Sequence, residues 1–338
     1  MSTLKFKTVK ELVNQSYGEY VLNERWKEHR PPEYFEYRRK WYENPEKMIV
    51  EEFPIHLDIE VTNYCNLGCT MCPRTILVKE GTFGAVKHIE LDFFKQMIDE
   101  GAEYGVSSVK FNYLGEPLMH PDIIEMVRYS KEKGIVEVMF NTNGMLLSEK
   151  MSQDLLDAGI DSLFVSFDSA YKDKFEEIRV GAKYEKIIEN VRKFSELRNS
   201  NEKYWHVQFR VSKVIFPGET QKEFEDFIDI FGEYVDAIGF GSLDPVSDTY
   251  ELEYNPNRRC DQPWQRLFVR QSGVAFPCCL DHRNEYVLGN AKTKSLKEIW
   301  DSELYRNLRE AHATGRYNEI DICKNCSYLG NGKIKIEN

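Results

Sequence analysis

The chain has 338 residues, enough for one large catalytic domain and a small appendage. Its hydrophobic fraction of 41% and charged fraction of 30% are those of a globular protein. The 56 acidic residues outnumber 45 basic ones for a formal charge of −11, which argues against a nucleic-acid partner.

No apolar run approaches the roughly 20 residues of a membrane helix, and Met1–Gln15 lacks the apolar core of a signal peptide. The expectation is a cytoplasmic protein without a membrane partner. In a reducing compartment its eight cysteines point to metals or catalysis rather than disulfides.

Residues 1–50 read as a polar helical arm, broken by Pro31-Pro32. A second region, 51–245, alternates strands with amphipathic helices. Its strands are expected at Ile55–Val61, Ser108–Leu114, Val136–Asn141, Ser162–Phe167, His206–Val214 and Ala237–Leu243. The helices between them are expected at Leu91–Tyr104, Asp122–Lys133, Glu149–Asp157, Tyr184–Arg198 and Thr220–Phe231. Six such alternations give an α/β fold with a parallel sheet, either open or curled into a barrel. In the third region, 246–338, the alternation stops. A hairpin (Gln265–Arg270 and Val274–Pro277), a Cys-Cys pair, a helix near Ser295–Ala313 and a CxxC suggest a small metal-held module.

Directly after the first strand comes Glu60-Val-Thr-Asn-Tyr-Cys65-Asn-Leu-Gly-Cys69-Thr-Met-Cys72-Pro-Arg. Three thiolates spaced CxxxCxxC can ligate three irons of a cubane and leave the fourth open. A zinc ion would need a fourth protein ligand, and only His56, nine residues back, is near in sequence. The loop lies where parallel α/β folds place their chemistry, at the C-terminal end of a strand.

On these residues the sequence resembles the radical S-adenosylmethionine superfamily. The resemblance implies a partial (β/α)6 TIM-type barrel, one [4Fe–4S] cluster on Cys65, Cys69 and Cys72, and S-adenosylmethionine chelated to the open iron. Cleavage of that ligand by one electron yields a 5′-deoxyadenosyl radical, which calls for a reduced flavodoxin or ferredoxin-type donor. It also implies ligand contacts. Met71 takes the adenine-side position, usually aromatic. Gly115 and Glu116 match the motif that receives the methionine amino group, and Ser166 with Asp168 the ribose-side motif. Arg179 matches the arginine that meets the carboxylate, and Asn143 and Arg210 are weaker members of the set.

The remaining cysteines are Cys260, Cys278, Cys279, Cys323 and Cys326. Closing the hairpin brings Cys260 to Cys278, and Cys323-Lys-Asn-Cys326 adds two more thiolates. Four such ligands suit structural zinc or a fully ligated [4Fe–4S] cluster. The spacing resembles the SPASM/Twitch group of the same superfamily, in the short four-ligand layout of dehydrogenases of the 2-deoxy-scyllo-inosamine type. That resemblance implies a second, electron-transferring cluster. The eighth cysteine, Cys279, should face away from it, because neighbouring strand residues point to opposite sides.

The expected function is hydrogen abstraction from a polar small molecule of carbohydrate or aminocyclitol type. Dehydrogenation follows, with Asp244 as candidate base. Three alternatives stand beside it: epimerisation with Cys279 returning the hydrogen, peptide modification, and a non-catalytic zinc scaffold.

Overall fold

The computed structural model describes residues 17–216, 218–242, 255–324, 326 and 329. Asp244, the candidate base, lies outside the described residues, as does the expected boundary near residue 245.

Ten strands form one sheet in the order β1-β7-β6-β5-β4-β3-β2-β8-β9-β10. The six expected strands are β2 (His56–Ile59), β3 (Ser108–Lys110), β4 (Glu137–Thr142), β5 (Ser162–Ser166), β6 (Gln208–Ile215) and β7 (Ala237–Ser242). They pair in parallel and in chain order. A doubly wound sheet reverses strand order at a switch point. Here nothing reverses, so the winding is that of a partial barrel with helices on one side.

Between the strands lie α2 (Pro73–Lys79), α3 (Leu91–Glu103), α4 (Ile123–Glu132), α5 (Glu149–Ala158), α6 (Lys172–Ile178), α7 (Tyr184–Asn199) and α8 (Gln221–Phe231). Their apolar faces (Phe94, Ile98, Met126, Leu155, Val191, Phe194 and Phe227) pack on Leu57, Ile59, Val109, Phe140, Val165 and Val211 in one buried cluster. Each such side chain contributes about 1.5–3 kcal/mol by burial. Thr220 and Glu223 form a reciprocal capping box that starts α8 where its apolar repeat begins.

β3 is shorter than expected for a side-chain reason. Phe111 N still donates to Met139 O at 3.0 Å, but Asn112 then replaces the backbone ladder. Its Nδ2 donates to Asn141 O at 3.0 Å while its Oδ1 accepts from Asn141 N. The main chain is thereby released to turn through Gly115 and Glu116.

The all-helical reading of the N-terminal arm is corrected. Its described part opens with β1 (Tyr17–Val21), antiparallel to β7 with Glu19 opposite Gly239. Five residues on an open edge are too few for a two-residue period to stand out, and Tyr20 packs edge-on against Phe224 of α8. After it, α1 (Pro32–Lys47) begins on Pro32, so the Pro31-Pro32 pair starts this helix rather than breaking one. Trp26, Tyr34, Tyr37 and Trp41 form a second apolar cluster with Ile55 and Val136. Arg30, also from the arm, donates to Asp161 O and Ser162 Oγ at 2.6 and 2.9 Å. The arm therefore plugs the end of the barrel that carries the strand N-termini.

The C-terminal module is continuous with the barrel sheet. β8 (Arg266–Val269) pairs in parallel with β2, and β9 (Val274–Phe276) turns back on it. β10 (Gly289–Asn290) adds an edge. The single helix expected near Ser295–Ala313 is two, α9 (Leu296–Trp300) and α10 (Glu303–Ala313), because Ser302 starts a second N-cap. The short α11 (Asp321–Lys324) carries Cys323. Glu100 of α3 accepts from Leu296 N and Lys297 N at 2.9 and 2.8 Å, and Trp300 Nε1 donates to Glu51 O at 2.9 Å. These contacts dock the module on the barrel. Among the described residues no helix is long and apolar enough to cross a membrane.

Candidate active site

The loop after β2 carries Cys65, Cys69 and Cys72, all half-buried. Cys72 is the N-cap of α2, with Pro73 at the first helical position and Cys72 O accepting from Thr75 N at 2.9 Å. Backbone bonds from Gly68 N to Val180 O and from Thr70 N to Ile178 O, both 2.9 Å, tie the loop to the end of α6. Gly115 presses on its base, where Glu116 N donates to Tyr64 O at 2.7 Å. A β-carbon at position 115 would lie 2.1 Å from Thr62 O, so only glycine fits.

Each expected ligand-contact residue has a definite place. Glu116, 3% exposed, accepts from Leu118 N, Thr142 Oγ1 and Asn143 N at 3.1, 2.7 and 2.7 Å. Burial raises its carboxyl above the usual range against those bonds. Asn143 donates Nδ2 to Asn66 Oδ1 at 2.7 Å, beside Cys65. Asp168 accepts from Arg179 Nε at 2.6 Å and from Val214 N at 2.9 Å. Arg179 is thus held by one edge of its guanidinium, and the charge lies within electrostatic reach of Cys69 and Cys72. Met71 and Ser166 are half-buried. Arg210 stands apart from the loop: it pairs with Glu19 at 3.0 Å and lies over Phe164 at 3.9 Å.

Strand residues that do not face the helices share the inner face, or chamber, of the partial barrel. β2 contributes His56 and Asp58, with Glu60 just after it, β3 Lys110, β5 Phe164, β6 Arg210, and β8 Arg266 and Phe268. Asp58 pairs with Arg266 and with His56 Nε2, both at 3.3 Å. Lys110 lies within electrostatic reach of Asp58, Arg266, Arg210 and Cys279, and burial lowers its pKa. Glu60 accepts from Leu114 N at 3.2 Å, and burial raises it to about 7 against the pull of Arg270.

Apart from Arg210 and His56, these residues were missed in the sequence. His-Leu-Asp-Ile-Glu in β2 alternates as a half-exposed strand does, yet both faces are buried. The signal available was that a parallel strand covered by helices has no solvent face.

The second set gathers on the hairpin and α11. Cys260 lies within electrostatic reach of Cys323 and Cys326, and Cys278 of Cys260. The expectation that Cys279 faces away from this set is corrected: β9 ends at Phe276, so strand alternation does not reach the pair, and the Cys278 and Cys279 thiols hydrogen-bond to each other. Cys279 meets Arg266, Asp58 and Lys110 of the chamber, while Cys278 Sγ accepts from Leu280 N at 3.3 Å.

The donor sets suit iron–sulfur cubanes, being thiolate throughout: three on the first loop, and Cys260, Cys278, Cys323 and Cys326 in the second set. His56, the residue nearest in sequence that could complete a zinc set, is committed to Ser108 at 3.0 Å and to Asp58, with Trp41 edge-on to its ring.

A sequence profile of the Radical SAM superfamily matches residues 59–231, half of the chain. The chain belongs to the radical SAM superfamily. A profile of the SPASM iron–sulfur cluster-binding domain matches residues 260–327. Membership in the superfamily brings S-adenosylmethionine and a [4Fe–4S] cluster, and the SPASM domain brings further iron–sulfur chemistry. This radical SAM chain is 27% identical over 234 residues to GTP 3′,8-cyclase of Lactiplantibacillus plantarum, covering 68% of the chain and 63% of that cyclase. Its fold is similar to that of BtrN in complex with AdoMet and 2-DOIA (TM-score 0.57, 20% identity, 82% of this chain and 94% of that one). It is also similar to Streptococcus suis SuiB bound to S-adenosylmethionine (TM-score 0.61, 17% identity, 86% and 75%).

Proposed function

We propose that this radical SAM enzyme dehydrogenates a polar small molecule of carbohydrate or aminocyclitol type. When bound, the site cluster and S-adenosylmethionine would supply a 5′-deoxyadenosyl radical that takes one hydrogen atom, the second cluster would accept one electron, and a base, for which Asp244 is the candidate, would take the hydroxyl proton. In this reading Cys65, Cys69 and Cys72 hold the first cluster. Cys260, Cys278, Cys323 and Cys326 hold the second, in the four-ligand Twitch form. Arg179, fixed by Asp168, offers its free edge to the methionine carboxylate. Gly115, Glu116 and Asn143 shape the floor beneath the amino group, with Met71 and Ser166 toward the adenosine. Lys110, Asp58, Arg210 and Arg266 bind the substrate's polar groups inside the chamber. The reducing electron comes from a flavodoxin or ferredoxin-type donor.

One observation carries the reading: Cys279, next to Cys278, has chamber residues Asp58, Lys110 and Arg266 as its charged neighbours. The second ligand set therefore abuts the space where a substrate radical would form. The same observation favours epimerisation as the second reading, with the Cys279 thiol returning a hydrogen atom.

The test is to reconstitute the enzyme anaerobically and incubate it with deuterated polyols and aminocyclitols. Label in 5′-deoxyadenosine together with a ketone product supports dehydrogenation. An inverted alcohol, lost on Cys279→Ala, supports epimerisation instead. A colourless protein with one zinc and no iron refutes both.

A further inference from the structure

The last turn of α10 places His312 between two cysteines of the second set. Its ring is 3% exposed. Cys260 N–H donates to Nδ1 at 3.4 Å, and Nε2 lies 3.5 Å from Cys323 Sγ. Tyr317 stacks on the ring at 5.7 Å with planes 10° apart. The tyrosine is itself fixed, its hydroxyl donating to Asn255 O at 3.0 Å and accepting from Asn255 N at 3.2 Å.

The proton on this ring can be placed by elimination. A backbone N–H only donates, so the Nδ1 lone pair is occupied and the proton of the neutral ring sits on Nε2. That N–H points at the Cys323 sulfur. A thiolate ligand accepts such a bond more strongly as it gains negative charge, and a reduced cubane carries one charge more than an oxidised one. Backbone groups also donate toward this ligand set, Leu280 N to Cys278 and Gln262 N to Cys260, and the Cys279 thiol bonds Cys278. His312 is a side-chain donor held by an orientation-fixing stack.

We propose that His312 is a positioning residue of the second centre, donating Nε2–H to the Cys323 sulfur and favouring the reduced over the oxidised cluster. This rests on the reading that Cys260, Cys278, Cys323 and Cys326 hold an iron–sulfur cluster. It extends that reading by naming a group that makes the cluster a better electron acceptor. The ring also joins the two halves of the ligand set, bonding Cys260 through one nitrogen and Cys323 through the other.

The test uses the full chain with Cys65, Cys69 and Cys72 changed to Ala, so that only the second cluster gives a signal. Its midpoint potential is measured by electron paramagnetic resonance under redox titration, for His312, His312→Phe and His312→Gln. Phe keeps the ring and removes the donor, whereas Gln keeps a donor amide. We expect His312→Phe to lower the reduced-to-oxidised ratio at fixed poise by about tenfold, a 59 mV shift for one electron. His312→Gln should recover most of that shift. Cluster loss in the Phe form with retention at the original potential in the Gln form also supports the donor role. An unmoved midpoint in a Phe variant with full iron overturns the proposal, as do cluster loss in both variants and a directly coordinated nitrogen in pulsed spectra. If the background chain holds no iron at all, the cluster reading fails first and the proposal falls with it.

Discussion

Gly115→Ala tests the geometry of the cysteine loop most directly. The added methyl would sit 2.1 Å from Thr62 O, 2.7 Å from Thr62 C and 2.8 Å from Tyr64 O, all backbone atoms. No rotamer relieves a clash with main chain. To reach ordinary contact at 3.4 Å the Thr62 carbonyl must retreat by about 1.3 Å. Cys65 is three residues further on, and Glu116 N donates to Tyr64 O between them, so the shift is delivered to the first ligand. Overpacking of this kind costs about 1–3 kcal/mol of stability, which the large barrel core can absorb. Displacement of reacting groups by about 1 Å can cost on the order of a hundredfold in rate. The expected outcome is a folded protein that keeps roughly four of eight irons and cleaves S-adenosylmethionine at least tenfold more slowly. Iron content, circular dichroism and chromatographic assay of 5′-deoxyadenosine read the three quantities. Full iron with cleavage within twofold of the parent would refute the argument.

Three further predictions follow from other contacts. Arg179→Lys loses the 2.6 Å bond to Asp168 and the planar fork; S-adenosylmethionine should bind about tenfold more weakly by anaerobic equilibrium dialysis, with iron unchanged, and unaltered affinity would count against the assignment. Glu60 has a folded pKa of about 7 against an ordinary 4.5, so its stabilising share is present below pH 4.5 and lost as pH rises through 7. Glu60→Gln escapes that loss, and denaturant melts at pH 5 and pH 8 should show it gaining about 3 kcal/mol on the parent; parallel pH profiles would show that the carboxyl titrates normally. Trp41→Ala removes the ring that contacts His56, Tyr37 and Arg266. It should cost about 2–4 kcal/mol in denaturant melts, and a change under 1 kcal/mol would mean the plug is dispensable.

Much of this arrangement was readable in the chain because local chemistry sets it. Apolar residues at three- and four-residue spacing mark α3 to α5, α7 and α8, and Cys65, Cys69 and Cys72 name their site through spacing alone. What stayed hidden depends on partners far away in sequence. β1 is a strand only because β7 leaves an edge lined with Gly239 and Gly241. The Ser295–Ala313 segment carries one apolar stripe, and its break depends on a single serine at 302. The pairing of Arg210 with Glu19, 191 residues earlier, was equally beyond any local pattern. His312 carries no sequence signature, since its meaning comes from Cys260 and Cys323 on separate elements.

The register of β8 on β2, with His56 opposite Arg266 and Ile59 opposite Val269, has a mechanical consequence. It ties the hairpin that leads into Cys278 to the strand that leads into Cys65 by hydrogen-bonded ladder rungs. A slip of one rung would move one relative to the other by about 3.3 Å, so the spacing of the two cysteine sets is only as constant as this register.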